Sequence, residues 1–328
     1  MLAVSKLPRR WLLIRQGAIG DTILLSSVIQ AIRARIPTSW IEVMGIQERV
    51  ELLVGEGLAD RALSVERFPL ESLHQKDAHL PPPLADLFSR FDIIVYYTAA
   101  VYPWLADRMR VKADLEVRIY PALPPVGYAR HAVCFYLDPL QDFLDIQTPP
   151  KPRLVLSPDE LDSAKRYYLT QSLDPSQVFI LGMHVGAGSP RKQASLTFFE
   201  SVARYFLHRQ SMALLLTQGP ADESPVRQLL HRLPPNHTVL VVNNRPLREL
   251  AAILSHASLF IGNDSGITHM AAAVGCPTLA VFTAGDPVLW RPLGNHSSIV
   301  EWKQPPFCDA GLTQEFFHLF LSSSIEIN

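Results

Sequence analysis

The chain has 328 residues, 48% of them hydrophobic, and its 30 Lys plus Arg stand against 31 Asp plus Glu. That length favours two domains over one core, and the even charge balance argues against the strong basic field with which nucleic-acid binders gather phosphates. Cys134, Cys276 and Cys308 lie far apart without a C-x-x-C pair, so neither a disulfide framework nor a zinc site is indicated, and a reducing cytoplasm fits.

Near the start, "KLPRRWLLIRQG" carries an apolar run of only Trp11 to Ile14 before Arg15, too short for the core of a signal peptide. No other stretch is long and apolar enough to span a bilayer, so a soluble protein is expected, with peripheral contact at a membrane surface still open to it. "WLLIRQ" reads as the first strand. Ile23, Leu24, Ser27, Val28, Ala31 and Ile32 then recur at helical spacing until Pro37 stops the pattern. "WIEVMG" and "FDIIVYYTA" read as further strands. The proline-rich region from Pro139 to Pro158 is where two halves meet. A second series runs through "VFILGMHVG", "MALLLTQG", "HTVLVV", "SLFIGN" and "PTLAVF". Two successive alternating arrays predict an α/β protein with two Rossmann-like domains, 1–155 and 156–328, facing a central cleft. After about Trp302 the pattern lapses, and "QEFFHLFLSSS" reads as a terminal helix packing back on either domain.

Ligands of open α/β sheets bind at the carboxyl ends of strands, where helix N-termini present unpaired amides. Three such junctions carry unusual residues. In "RQGAIGDT", Gly17 and Gly20 let the backbone turn tightly beside a ligand, and Asp21 at the helix start suits either an N-cap or a catalytic carboxylate. In "HVGAGSPRKQASLTFFE", Gly186, Gly188 and Ser189 can bare amides toward a phosphate, and Lys192 is a compact positive charge. The competing reading is a solvated loop; His184 fits a structural histidine. In "FIGNDSGITHMAAAVGCPTLAVF", Asp264, Ser265 and Gly266 open a helix of small residues with His269 one turn inside. Asp264 as a cap and His269 as a core residue would account for each separately, but not for all of them at one junction.

The N-terminal "RQGAIGDTILLSSVIQAIRARIP" and the later "LRELAAILSHASLFIGNDSGITHMAAAVGCPTLAVF" together resemble glycosyltransferase family 9, the ADP-heptose:lipopolysaccharide heptosyltransferases. The likeness runs in order through the Gly-Asp junction, the G-x-G-x-x-x-K loop, "GPADE" and the D-S-G-x-x-H junction, the last being the specific one. It implies the GT-B architecture and an inverting, metal-independent sugar transfer with no cofactor. The donor would be a nucleotide sugar, ADP-heptose, and the acceptor a lipid-linked or core oligosaccharide at the cytoplasmic face of the inner membrane. By position, Asp21 matches the base, and Lys192 the lysine on the donor phosphates. Glu223 matches the acid on the ribose, and Asp264, Ser265, Gly266 and His269 the cradle of the sugar diphosphate. Three features depart from the pattern: Ser27 replaces a usual proline, "TAGDP" replaces Gly-Pro-Thr-Asp-Pro, and only Cys308 remains of a C-terminal cysteine segment.

The acceptor should meet the N-terminal domain near Gly17 and Gly20. In "YPWLADRMRVKADLEVRIYP", Arg108, Arg110 and Lys112 interleave with aromatic groups and could greet an anionic sugar or a phospholipid surface, although a solvated helix face is the commoner reason for such charge. Two other classes compete. A nicotinamide-dependent oxidoreductase would use a similar first turn with Glu42 on a ribose, but "GAIGD" lacks the G-x-G-x-x-G spacing. Retention of both Asp21 and Lys192 argues against a non-catalytic nucleotide-sugar-binding protein.

Overall fold

The computed structural model describes residues 10–207, 211–235 and 237–301. The segment "QEFFHLFLSSS" and Cys308 lie outside the described residues. The chain divides into two compact units, Met1–Val155 and Leu156–Asn328.

In chain order the first unit contains β1 (Arg10–Arg15), α1 (Ile19–Arg35), β2 (Trp40–Gly45), α2 (Gln47–Glu51), β3 (Arg61–Ser64), α3 (Pro82–Phe88), β4 (Ile93–Thr98), α4 (Leu105–Met109), β5 (Glu116–Pro121) and α5 (Ala132–Leu137). Its strands form one parallel sheet in the order β3-β2-β1-β4-β5. A central parallel strand is covered on both faces, which is why β1 is an unbroken apolar run with Trp11 to Ile14 fully buried. Helix α1 is buried almost all round from Thr22 to Ile32, and its last turn closes on Ile36 just before Pro37.

The second unit contains α6 (Pro158–Thr170), β6 (Phe179–His184), α7 (Leu196–Leu207), β7 (Met212–Gln218), α8 (Glu223–Arg232), β8 (Thr238–Asn243), α9 (Leu247–Leu254), β9 (Leu259–Asn263), α10 (Gly266–Ala273), β10 (Thr278–Phe282), α11 (Pro287–Trp290) and β11 (Ser297–Glu301). The parallel sheet runs β11-β10-β9-β6-β7-β8. Leu181, Leu214, Ile261 and Val281 from the strands pack with Phe199, Val202 and Phe206 of α7 in the core. Among the described residues, no helix is long and apolar enough to cross a membrane.

Three strands escape the sequence reading: β3, β5 and β11, all at sheet edges. The basic run after Trp104 is helical only over α4 and then becomes edge strand β5. On it, Arg118 forms a bidentate pair with Asp142 at 2.5 Å.

Candidate active site

In each sheet the strand order reverses once, and that reversal is where an open α/β sheet leaves a crevice at the carboxyl ends of its strands. In the first unit it lies between β1 and β4, and in the second between β6 and β9. Asp21 follows β1. The loops carrying Lys192 and Asp264 follow β6 and β9.

Asp21 is not the N-cap of α1. Ala18 holds that position, and Asp21, at the third residue, accepts the Ala18 amide at 3.1 Å through Oδ2. Its other oxygen lies 3.3 Å from Arg15 Nη2 and 3.5 Å from the Tyr136 hydroxyl. Arg15 is buried, with a side chain 1% exposed, and it also donates to the Ala122 carbonyl and to Tyr136 Oη at 2.7 Å. Burial pushes the Tyr136 phenol well above its ordinary range, so it remains a donor. Fixed on one side, the carboxylate stays 20% exposed on the other. Gly17 permits this approach: a β-carbon there would lie 2.8 Å from Asp21 Cβ and 2.9 Å from Arg15 Nε. Gly20 lies inside the first turn of α1 rather than in the loop. Neither Arg15 nor Tyr136 was singled out from sequence. Arg15 merely closes an apolar run, and Tyr136 is 121 residues away from it.

The basic residues proposed for the acceptor have internal partners. Arg108 donates to the carbonyls of Ser72, Leu73, Gln75 and Lys76, so its guanidinium ties down the preceding segment. Arg110 pairs with Asp107 at 3.0 Å, and Lys112 lies 3.9 Å from Asp92.

In the second unit, the loops after β6 and β9 are drawn together by Asn263. Its side-chain amide donates to the carbonyls of Val185 and Gly186 and accepts the Ala194 amide at 2.9 Å. Lys192 Nζ then sits 2.7 Å from Asp264 Oδ2, the carboxylate 5% exposed and the lysine 37%. Asp264 is thus the countercharge of Lys192, and a carboxylate offers no donor to an anion. Nor is it the cap of α10: Ser265 is, its hydroxyl accepting the Thr268 amide at 3.3 Å. Gly188 borders open space, and Ser189 precedes the turn Pro190–Lys192. Gly266 is the first residue of α10, and His269 is buried on it.

The loop after β10 completes the cluster. Thr283 Oγ1 donates to the Arg191 carbonyl at 2.8 Å, and Gly285, at φ +102°, passes so near that a β-carbon would lie 3.1 Å from Asp264 Oδ2. From the β7 side, Asp222 accepts the Gly219 amide at 2.9 Å and lies so close under Gly186 that a β-carbon there would overlap its carboxylate. Glu223 is the exposed first residue of α8, with Arg227 at 3.8 Å. His184 is buried with Nδ1 2.9 Å from Thr217 Oγ1, and desolvation holds its pKa below the ordinary value against the pull of Asp222. Asp222 escaped the sequence reading because Glu223 beside it drew the role.

A family model described as glycosyltransferase family 9 (heptosyltransferase) matches residues 105–311. The chain belongs to glycosyltransferase family 9. The matched span holds the whole Lys192–Asp264 cluster and begins after the Asp21 junction. A curated relative covers more: lipopolysaccharide heptosyltransferase 3 of Escherichia coli is 25% identical over 305 residues, 84% of each chain. Among solved structures, this family 9 enzyme resembles the family 9 glycosyltransferase of Veillonella parvula, with TM-score 0.77, 16% identity and 99% of each chain covered. It also resembles the E. coli ADP-heptose lipopolysaccharide heptosyltransferase II, with TM-score 0.72, 17% identity, and 96% and 100% of the two chains covered. These likenesses establish the GT-B fold expected from the sequence.

Proposed function

We propose that this enzyme transfers a heptose from ADP-heptose to a lipopolysaccharide core or related glycan, inverting the anomeric carbon. The 156–328 unit binds the donor, and the 1–155 unit binds the acceptor and supplies the base. An acceptor oxygen forms a bond to the anomeric carbon as the bond from that carbon to the diphosphate oxygen breaks. The electron pair leaves with ADP, and the acceptor proton passes to Asp21. Charge grows on the leaving diphosphate, so Lys192 and the first amides of α10 favour the transition state over the ground state. A carboxylate is a weak base toward a sugar hydroxyl, so proton transfer accompanies attack rather than preceding it. A lipid-anchored acceptor would bring the enzyme to the cytoplasmic face of the inner membrane.

The observation that carries this reading is the Lys192–Asp264 pair at the β6/β9 switch point, within the span matched to the family. Thermal shifts with ADP, UDP and NAD test it, since a ligand that binds only the folded protein raises its melting temperature. ADP should stabilise the protein most. No response to millimolar ADP, or a response to NAD alone, would overturn the donor assignment.

A further inference from the structure

The Asp21 carboxylate is met by donors from three directions. Its Oδ2 accepts the Ala18 amide at 3.1 Å, and its Oδ1 lies 3.3 Å from Arg15 Nη2 on β1 and 3.5 Å from the hydroxyl of Tyr136 on α5. The order of donation follows from what each group can do. A guanidinium only donates, so at 2.7 Å the Tyr136 oxygen accepts from Arg15 Nη2 and its single proton remains for Asp21 Oδ1. Both supports are fixed in turn. Arg15 is 2% exposed, its other terminal nitrogen donates to the Ala122 carbonyl, and its guanidinium lies 4.4 Å from the centre of the Tyr136 ring. Tyr136 is fully buried, and its carbonyl accepts the Tyr97 hydroxyl from β4. Desolvation keeps the buried phenol protonated, so its proton stays available to the carboxylate.

A carboxylate offers about four lone-pair positions, two on each oxygen. Arg15 and Tyr136 meet those on Oδ1 and the Ala18 amide takes one on Oδ2, which leaves a single position, on Oδ2, for an incoming hydroxyl. Gly17 keeps space beside that oxygen, since a β-carbon there would lie 3.4 Å from Oδ2. We propose that Arg15 and Tyr136 are positioning residues that confine proton transfer to this one position and so decide which hydroxyl of the accepting sugar is glycosylated; this rests on the transferase reading above. Neighbouring hydroxyls of a sugar ring are chemically alike, so the placement of the base has to distinguish them. The chosen hydroxyl gives its proton to Oδ2 while its oxygen bonds the anomeric carbon, and the electron pair of the broken bond leaves on the diphosphate. Oδ1 keeps its donors throughout, so the carboxyl does not turn as it becomes neutral.

The test uses the full chain with ADP-heptose and a lipopolysaccharide core oligosaccharide as acceptor, and it reads both rate and linkage. Tyr136→Phe removes only the hydroxyl and keeps the ring against Arg15, so it should fold, which its melting temperature would show. Its kcat should fall about tenfold, the equivalent of one hydrogen bond, with both KM values within about twofold of the unaltered enzyme. NMR of the product should show a second linkage isomer where the unaltered enzyme makes one. Arg15→Lys keeps the charge without the fork that reaches Ala122 and Tyr136 together, and it should shift rate and linkage in the same direction. In an Asp21→Asn background, Tyr136→Phe should change kcat by less than about twofold, because the position it guards no longer takes a proton. A folded Tyr136→Phe enzyme with unaltered kcat, or a slower one that makes only the original linkage, would overturn the proposal. An undiminished effect in the Asp21→Asn background would overturn it too, by assigning the loss to packing. Failure of the unaltered protein to bind ADP would instead bring down the transferase reading, and this proposal with it.

Discussion

Lys192 Nζ and Asp264 Oδ2 stand 2.7 Å apart and join the loops that follow the two strands at the switch point of the second sheet. The pair has a structural and a ligand-binding side, which substitution can separate. Lys192→Ala leaves a nearly buried carboxylate without its countercharge and should cost about 1–3 kcal/mol of stability, as well as weakening ADP binding at least about tenfold. The double variant with Asp264→Asn removes the stranded charge, so chemical denaturation should show most of the stability restored while calorimetry shows ADP binding still weak. A double variant that regained ADP affinity would mean that Lys192 serves only to neutralise Asp264.

Asp222 links the loops that follow β6 and β7, holding the Gly219 amide while Gly186 passes directly over it. Gly186→Ala and Asp222→Ala should therefore both raise the donor KM, by about tenfold or more, with the acceptor KM unaffected. Asp222→Asn keeps an oxygen for the Gly219 amide and should fall between them and the unaltered enzyme. Steady-state kinetics with each substrate varied in turn would decide, and equal changes in both KM values would count against a local role.

Stability toward acid should depend on Glu160. Its carboxylate accepts two hydrogen bonds from Arg248, at 2.6 and 2.7 Å, and these, assisted by the Ser157 amide, hold its pKa down to about 2. A carboxyl depressed by folding stabilises the protein at pH values above its ordinary pKa, and the contribution fades as pH falls from there toward the folded value. Allowing for partial solvent screening, Glu160→Gln should cost about 1–2 kcal/mol at pH 7. The gap from the unaltered protein should close between about pH 4.5 and pH 2. Urea unfolding at pH 7, 4 and 3 would show it, and a gap independent of pH would assign the loss to packing.

Buried strands were legible because parallel strands covered on both faces become continuous apolar runs: "WIEVMG" coincides with β2, and "SLFIGN" and "PTLAVF" differ from β9 and β10 by one residue. The missed strands are edges, where charge and short length are tolerated; "EVRIYP" with Arg118 and "RALS" look like surface segments for that reason. The site divided along the same line. Glycines and polar residues clustered at strand ends pointed to the Asp21, Lys192 and Asp264 junctions. Residues that support them from a distance in sequence, such as Arg15 with Tyr136 and Asp222 beneath Gly186, became visible only in three dimensions. Asp264 and Ser265 are both good cap types, and only the backbone shows that Ser265 precedes the first turn of α10; at α1 the cap is Ala18, a residue type without a capping oxygen, and Asp21 sits at the third position.

The central claim is that Asp21 takes the acceptor's proton, and Asp21→Asn tests it most directly. The amide oxygen of Asn can still accept the Ala18 N–H, and Arg15 keeps Ala122 and Tyr136, so the variant should fold with a stability loss below about 1 kcal/mol and bind ADP normally. What it lacks is a proton acceptor. Heptose transfer from ADP-heptose to the authentic core acceptor should fall by about 100-fold or more in kcat. Transfer at the unaltered rate by the folded variant would contradict the account and leave Asp21 as part of the α1 capping box alone.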